Sequence, residues 1–125
     1  MRVDEHQFLD VTQVQAHLRS FAASRDWDKY HSPKNLAMAL AGESGELLEI
    51  FQWLTEVESH AIANEAKQRE AVGEELADIL QYVLRLADLL GIDINHAVWA
   101  KLEKNANKYP IDLSRGNAKK YTEFS

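Results

Sequence analysis

Residues 32–54, SPKNLAMALAGESGELLEIFQWL, decide the fold. Ser32 followed by Pro33 is a helix start: a side-chain acceptor precedes a proline whose missing N–H costs nothing in the first turn. Projected at about 100° per residue from Leu36, the side chains of Leu40, Leu47, Ile50 and Leu54 lie within about 40° of one line. Glu43 falls on that line too. Glu46 sits at its edge, roughly 80° away, while Glu49 and Glu56 project to the polar side. The spacing therefore predicts a helix from Pro33 to about Glu56, with an anion in the middle of its apolar face. A carboxylate among leucines is costly unless a cation compensates it.

Working outward, three more helices are expected. The first runs from Val11 to Arg25 behind an Asp10 cap, with Phe8, Val14, Leu18, Phe21 and Ala22 on its apolar face. A polar stretch from Ser59 to Glu70 either connects to the third helix or forms its first turns. That helix covers Ala71 to Leu90 and stops at Gly91. Its apolar stripe is Val72, Leu76, Leu80, Val83, Ala87 and Leu90. Asp93 caps a fourth helix reaching Asn107, and Pro110 forbids its continuation. No period-two pattern persists, so the fold class is all-α, an antiparallel four-helix bundle. Residues 1–125 are expected to form one domain with a polar C-terminal tail from about 110. Long helices on a short chain leave apolar surface for a partner subunit, so a homo-oligomer is expected, a dimer or a dimer-of-dimers tetramer.

Composition narrows the function. Apolar residues reach 46% and the formal net charge is −6, which suits a soluble globular chain and argues against nucleic acid or an anionic membrane as partner. There is no cysteine, so disulfides, thiolate catalysis and zinc–thiolate sites are excluded. The opening MRVDEHQF has neither a basic nor an apolar leader region, and no apolar run approaches about 18 residues, so a cytoplasmic location is the expectation.

The third helix carries a second acidic pair, Glu75 and Asp78, spaced i,i+3 like Glu43 and Glu46. With Tyr82 and Leu89 they form a line rotated roughly 100 to 160° from Leu76, which places them toward a partly enclosed cleft. One acidic pair on a helix is ordinarily a solvated face. Two pairs on consecutive helices, one of them on an apolar stripe, favour a metal site. Four carboxylates without histidine suit Mg2+, with Mn2+ as a substitute, and not zinc or copper. A di-iron bundle needs Glu-x-x-His on two helices, and neither acidic helix has it.

Lys101, Asn105 and Lys108 follow i,i+4,i+7 and share one face. They suit a polyphosphate, or else they are a solvated basic turn near a helix C-terminus. Trp27 and Trp53 suit stacking on a base, or else core packing.

The segments GESGELLEIFQW, EELADILQYV and KLEKNANKYP, with RDWDKYHSPKNL and KKYTE around them, resemble the all-α MazG-like nucleoside triphosphate pyrophosphohydrolases, most closely the dCTP pyrophosphatase branch. The likeness runs from Phe21 to Thr122. It implies Mg2+-dependent hydrolysis of a nucleoside triphosphate, dCTP or a modified dCTP, to monophosphate and pyrophosphate. It implies Glu43, Glu46, Glu75 and Asp78 as metal ligands, and Trp27 and Trp53 as base contacts. Tyr82 and Asn105 would lie around sugar and phosphate, with His31, Lys108 and Tyr109 also on the substrate side. Glu46 as orienting base and Lys101 beside the departing pyrophosphate are the expected catalytic pair. Two departures stand out. Gly42 replaces the first of two adjacent glutamates, and Leu18 replaces a first-helix histidine, which bears on base preference. A related enzyme with another nucleotide, and a nucleotide-binding or scaffolding bundle without turnover, are the competing expectations.

Overall fold

A computed structural model describes residues 8–124. The reading of the first seven residues as free of a leader lies outside them. The chain divides into two compact units, Met1–Gly91 and Ile92–Ser125. The first holds α1 (Val11–Ser24), α2 (Pro33–Phe51), α3 (Glu56–Ala61) and α4 (Ala66–Leu89), with single 3-10 turns at Asp28–Tyr30 and Ile62–Asn64. The second holds α5 (Ile94–Lys108), α6 (Ile111–Ser114) and a 3-10 turn at Tyr121–Glu123. No strand occurs among the described residues, so the fold is all-α.

Helix ends are set by local chemistry. Asp10 caps α1 by accepting the Gln13 N–H at 3.0 Å, and Ser32 caps α2 by accepting the Asn35 N–H at 3.1 Å. The helix expected to reach Glu56 stops at Phe51 instead. Thr55 takes extended geometry and starts α3 with a reciprocal cap: its hydroxyl accepts the Glu58 N–H, and the Glu58 carboxylate accepts the Thr55 N–H. That box satisfies two helix-end donors at once, which a continuous helix would forgo. The Thr55 N–H and hydroxyl hold the Glu58 carboxyl below the ordinary range. The third long helix starts at Ala66, five residues before the expected Ala71, so part of the polar stretch forms its first turn. Gly91 ends it with φ of +66°, as its position predicts. Pro110 does end α5, yet the tail beyond it winds into α6 and a further turn.

In the first unit α4 packs against α1, α2 and the turn at Ile62. Leu36, Ile62, Leu84, Ala22 and Ala87 are its buried apolar side chains. The core on α4 keeps only part of the expected stripe: Ala87 is buried and Val72 and Val83 are half-buried, whereas Leu76, Leu80 and Leu90 are exposed and the buried Leu84 and Arg85 lie off the stripe. The reason is that α4 serves two neighbours, so the sector between α1 and α2 goes inward. Gln15 donates to the Leu84 carbonyl at 2.9 Å, and Arg19 donates to both Asp88 oxygens at 2.7 Å, which pins α1 along α4.

In the second unit, Tyr109 packs edge-on against Tyr121 and Phe124, with centroids at 6.1 and 5.9 Å. The Lys108 ammonium lies 4.7 Å over the Tyr121 ring. The tail thus has an aromatic cluster of its own.

Candidate active site

The end of α1 delivers Trp27 to the site. Past Ser24 the chain closes with two reversed bonds: Trp27 N–H to the Ala22 carbonyl at 2.9 Å and Asp26 N–H to the Ala23 carbonyl at 3.1 Å. This closure needs a left-handed residue, and Asp26 supplies it with φ of 55°. Aspartate is among the few side chains that tolerate that geometry. Trp27 then meets Phe21 edge-on at 5.6 Å. Asn35, in the first turn of α2, donates to the Tyr30 carbonyl at 3.0 Å and fixes the connector that carries His31.

A cavity of about 350 Å³ opens between these elements. Its walls include Leu18, Trp27 and His31 from α1 and the connector after it, and Glu43, Asp78 and Tyr82 from α2 and α4. Glu43, Glu75 and Asp78 each bring a carboxylate oxygen within 4.8 Å of the others. Glu46 stands outside that triad and is exposed, but it interacts with both Glu43 and Glu75. The two pairs expected on separate helices are therefore brought together, with three of the four acids in ligand geometry.

The electrostatics are those of anions forced together. Glu75 against it, then burial, hold the Glu43 carboxyl above the ordinary range. Glu46 is raised chiefly by Glu43, first through their direct contact and then through its charge. Burial, followed by the charges of Glu43 and Asp78, pushes the Tyr82 phenol up. Glu43 Oε2 and Glu75 Oε2 are buried without a hydrogen-bond partner. None of the four acids forms an ion pair with a lysine or arginine among the described residues. Hard oxygen donors, paired negative charge and two orphaned buried oxygens fit a divalent cation.

Other expected residues fall elsewhere. Trp53 follows the end of α2, is 86% exposed and does not line the cavity. In the second unit, Lys101 and Asn105 line a groove with Val98 and Leu102. Lys108 depresses the Lys101 ammonium below its ordinary range, so the two cations do share a face. Arg85 and Asp28 are additions that the sequence reading lacks. Arg85 lines the cavity, donates to Asp28 Oδ1 at 3.0 Å and is only 7% exposed. The sequence does hold a signal for it: Asp78, Tyr82 and Arg85 follow i,i+4,i+7 on one face of α4.

Residues 40–124 match the model of the MazG-like family. The chain belongs to the MazG-like family. The relatives of this MazG-like chain include dCTP pyrophosphatase 1 of Rattus norvegicus, 48% identical over 115 residues, and that of Homo sapiens, 45% identical over the same length. Each alignment covers 92% of this chain and 66% of the relative, so the chain spans just under two thirds of their length. Among solved structures it resembles a pyrophosphatase from Archaeoglobus fulgidus, with a TM-score of 0.74 and 42% identity, over 86% of this chain and 99% of that one. No helix among the described residues is long and apolar enough to cross a membrane.

Proposed function

We propose that this MazG-like chain is a nucleoside triphosphate pyrophosphohydrolase that converts dCTP, or a modified dCTP, to the monophosphate and pyrophosphate. The observation that carries the reading is the triad of Glu43, Glu75 and Asp78, of which Glu43 and Asp78 line the cavity, with two buried oxygens lacking partners. The relatives named dCTP pyrophosphatase supply the substrate class.

Glu43, Glu75 and Asp78 would hold Mg2+, or Mn2+ in its place, with Glu46 at the edge of the set. Bound there, the cation supplies Lewis-acid neutralisation of triphosphate charge in an otherwise acidic site. Trp27 offers an aromatic face to the base, and Tyr82 bounds the same space. Glu46, its carboxyl raised by Glu43, accepts a proton from a water that attacks the α-phosphorus. A new P–O bond forms to the water oxygen as the α–β phosphoanhydride bond breaks, and the electron pair leaves with pyrophosphate. Lys101 and Lys108 are read as ligands for polyphosphate oxygens, with Asn105 beside them, and Tyr109 as their neighbour. Trp53 is read as a second base contact. Its exposure, with that of Val57 and Trp99, supports assembly as a homo-oligomer. The expected setting is the cytoplasmic nucleotide pool.

The test is a panel of nucleoside triphosphates incubated with and without Mg2+, with the products separated. Monophosphate plus pyrophosphate, largest for dCTP and dependent on the cation, is the expected result. Diphosphate plus phosphate would contradict it, and binding without turnover would favour a scaffold. Leu18 on the cavity wall, at the position where the resemblance leads to a histidine, favours a related nucleotide as the second reading. The same panel ranks the bases.

A further inference from the structure

Arg85 is the one charged side chain that is buried among the described residues. Its guanidinium is committed on every side. Nη2 donates to Asp28 Oδ1 at 3.0 Å, and Nη1 lies 3.7 Å from Asp88 Oδ2. Asp88 is itself held by Arg19 at 2.7 Å. The third nitrogen, Nε, donates to His31 Nδ1 at 3.4 Å. Two carboxylates fix the plane of the guanidinium, so its Nε–H points at the imidazole as a consequence.

A guanidinium Nε always carries its proton, so the direction of that bond is not in question. A ring that accepts at Nδ1 is neutral there, and its remaining proton must sit on Nε2. The His31 ring lines the cavity; Nε2 makes no hydrogen bond among the described residues and is not a buried atom without a partner, so it is an accessible donor. The Trp27 ring stands beside it, centroid to centroid 6.4 Å and tilted by 56°. A base stacked on Trp27 would bring its edge to this donor.

We propose that Arg85 is a positioning residue that locks His31 as the Nε2–H tautomer, so that His31 donates to an acceptor atom, a carbonyl oxygen or ring nitrogen, on the edge of the substrate's base. The proposal rests on the nucleotide-hydrolase reading for its ligand, but not for the tautomer. It assigns a selectivity that stacking alone lacks. An aromatic face accepts any base, whereas a fixed donor favours a base with an acceptor there and opposes an amino group.

The experiment uses the full chain labelled with 15N-histidine and long-range proton–nitrogen correlation, with His31→Phe used to assign the His31 signals. The expected wild-type spectrum shows a protonated Nε2 and an unprotonated Nδ1. Arg85→Lys, which keeps the charge but loses the planar donor, is expected to mix the two tautomers. It should also raise KM for dCTP about tenfold, as loss of one directed hydrogen bond does, with a smaller change in kcat. His31→Phe should raise KM by a similar factor, and the double variant no further. The inhibition constant of inorganic tripolyphosphate, which has no base, should be the same for wild type and all of these variants. A wild-type proton on Nδ1, an unchanged tautomer in Arg85→Lys, or an unchanged KM in His31→Phe overturns the proposal. If Arg85→Lys does not fold, the wild-type spectrum and His31→Phe still decide. A wild-type chain that hydrolyses no nucleotide defeats the hydrolase reading, and the His31 tautomer then decides by itself whether Arg85 sets the ring.

Discussion

Replacing Trp27 by alanine separates base recognition from the rest of the site. Truncating a fully buried tryptophan costs about 3–5 kcal/mol. Trp27 is 42% exposed, so the stability loss should be about half of that, near 2 kcal/mol. At this chain length Tm moves by about 4 °C per kcal/mol, which gives a fall of roughly 8 °C. The loop itself should persist, because its closing bonds use the Trp27 and Asp26 backbone N–H groups and not the indole. Binding should suffer separately. Stacking of a base on an aromatic side chain contributes about 1–3 kcal/mol. Phe21 and His31 already stand beside the ring at 5.6 and 6.4 Å, so it is partly covered, which points to the middle of that range. The expected result is a fall in kcat/KM for dCTP of roughly 10- to 30-fold, mostly in KM. Trp27→Phe should recover most of it, and inhibition by inorganic tripolyphosphate, which has no base, should be unchanged. Steady-state kinetics on the folded variants, with melting curves alongside, make the measurement. A folded Trp27→Ala with its dCTP KM within about twofold of wild type would refute stacking on this residue.

Glu43→Gln should raise the Tm of the protein in chelator at neutral pH, because Glu43 is held above the ordinary carboxylate range. A carboxyl raised in the folded chain favours folding below its unfolded value, and that contribution is lost as pH rises through the folded one. Calorimetry of wild type against Glu43→Gln should therefore show the gap between them opening with rising pH. Asp78→Asn should lower Mg2+-dependent turnover at least about 100-fold while remaining folded by circular dichroism, since a direct ligand should matter more than a residue that merely supports one. Leu84→Ala, at a side chain only 2% exposed, should cost about 3 kcal/mol in denaturant unfolding. Thr55→Ala should cost about 1 kcal/mol and speed amide exchange in α3 more than in α4.

Signals confined to a turn or to one helix are legible in the sequence. Ser32-Pro33, Asp10, Asp93 and Gly91 each mark a boundary because a cap depends on residues within three or four positions. The break at Phe51 is equally local, since Thr55 and Glu58 form a reciprocal cap, but the leucine period runs on to Leu54 and outweighs it. The core of α4 is not legible to the same degree. Leu84 lies off the apolar stripe that its sequence offers, and only the placement of α1 and α2 decides that Leu84 goes in while Leu76 stays out. Arg85 escapes a sequence reading for the matching reason. An arginine on a helix is ordinarily solvated, and its partners Asp28 and His31 lie 57 and 54 positions away. Glu43 can be found because its anomaly shows in its own helix.

The charge balance around the cavity supports a cation from solution as the missing partner of the acidic triad. A chain that needed these carboxylates only for folding could neutralise them with a lysine or arginine. This chain does bury one arginine in the same wall, seven residues after Asp78. It commits that guanidinium to Asp28, Asp88 and His31 and leaves Glu43, Glu75 and Asp78 without an ionic partner among the described residues. Removing water from like charges without a counter-ion opposes folding, and the raised carboxyls of Glu43 and Glu46 are the mark of that opposition. Two groups of residues on one cavity therefore follow opposite rules. Around His31 the charges of Arg85, Asp28 and Asp88 are paired within the protein, which suits a neutral base; around Glu43 negative charge is left open, which suits a polyphosphate arriving with its divalent cation.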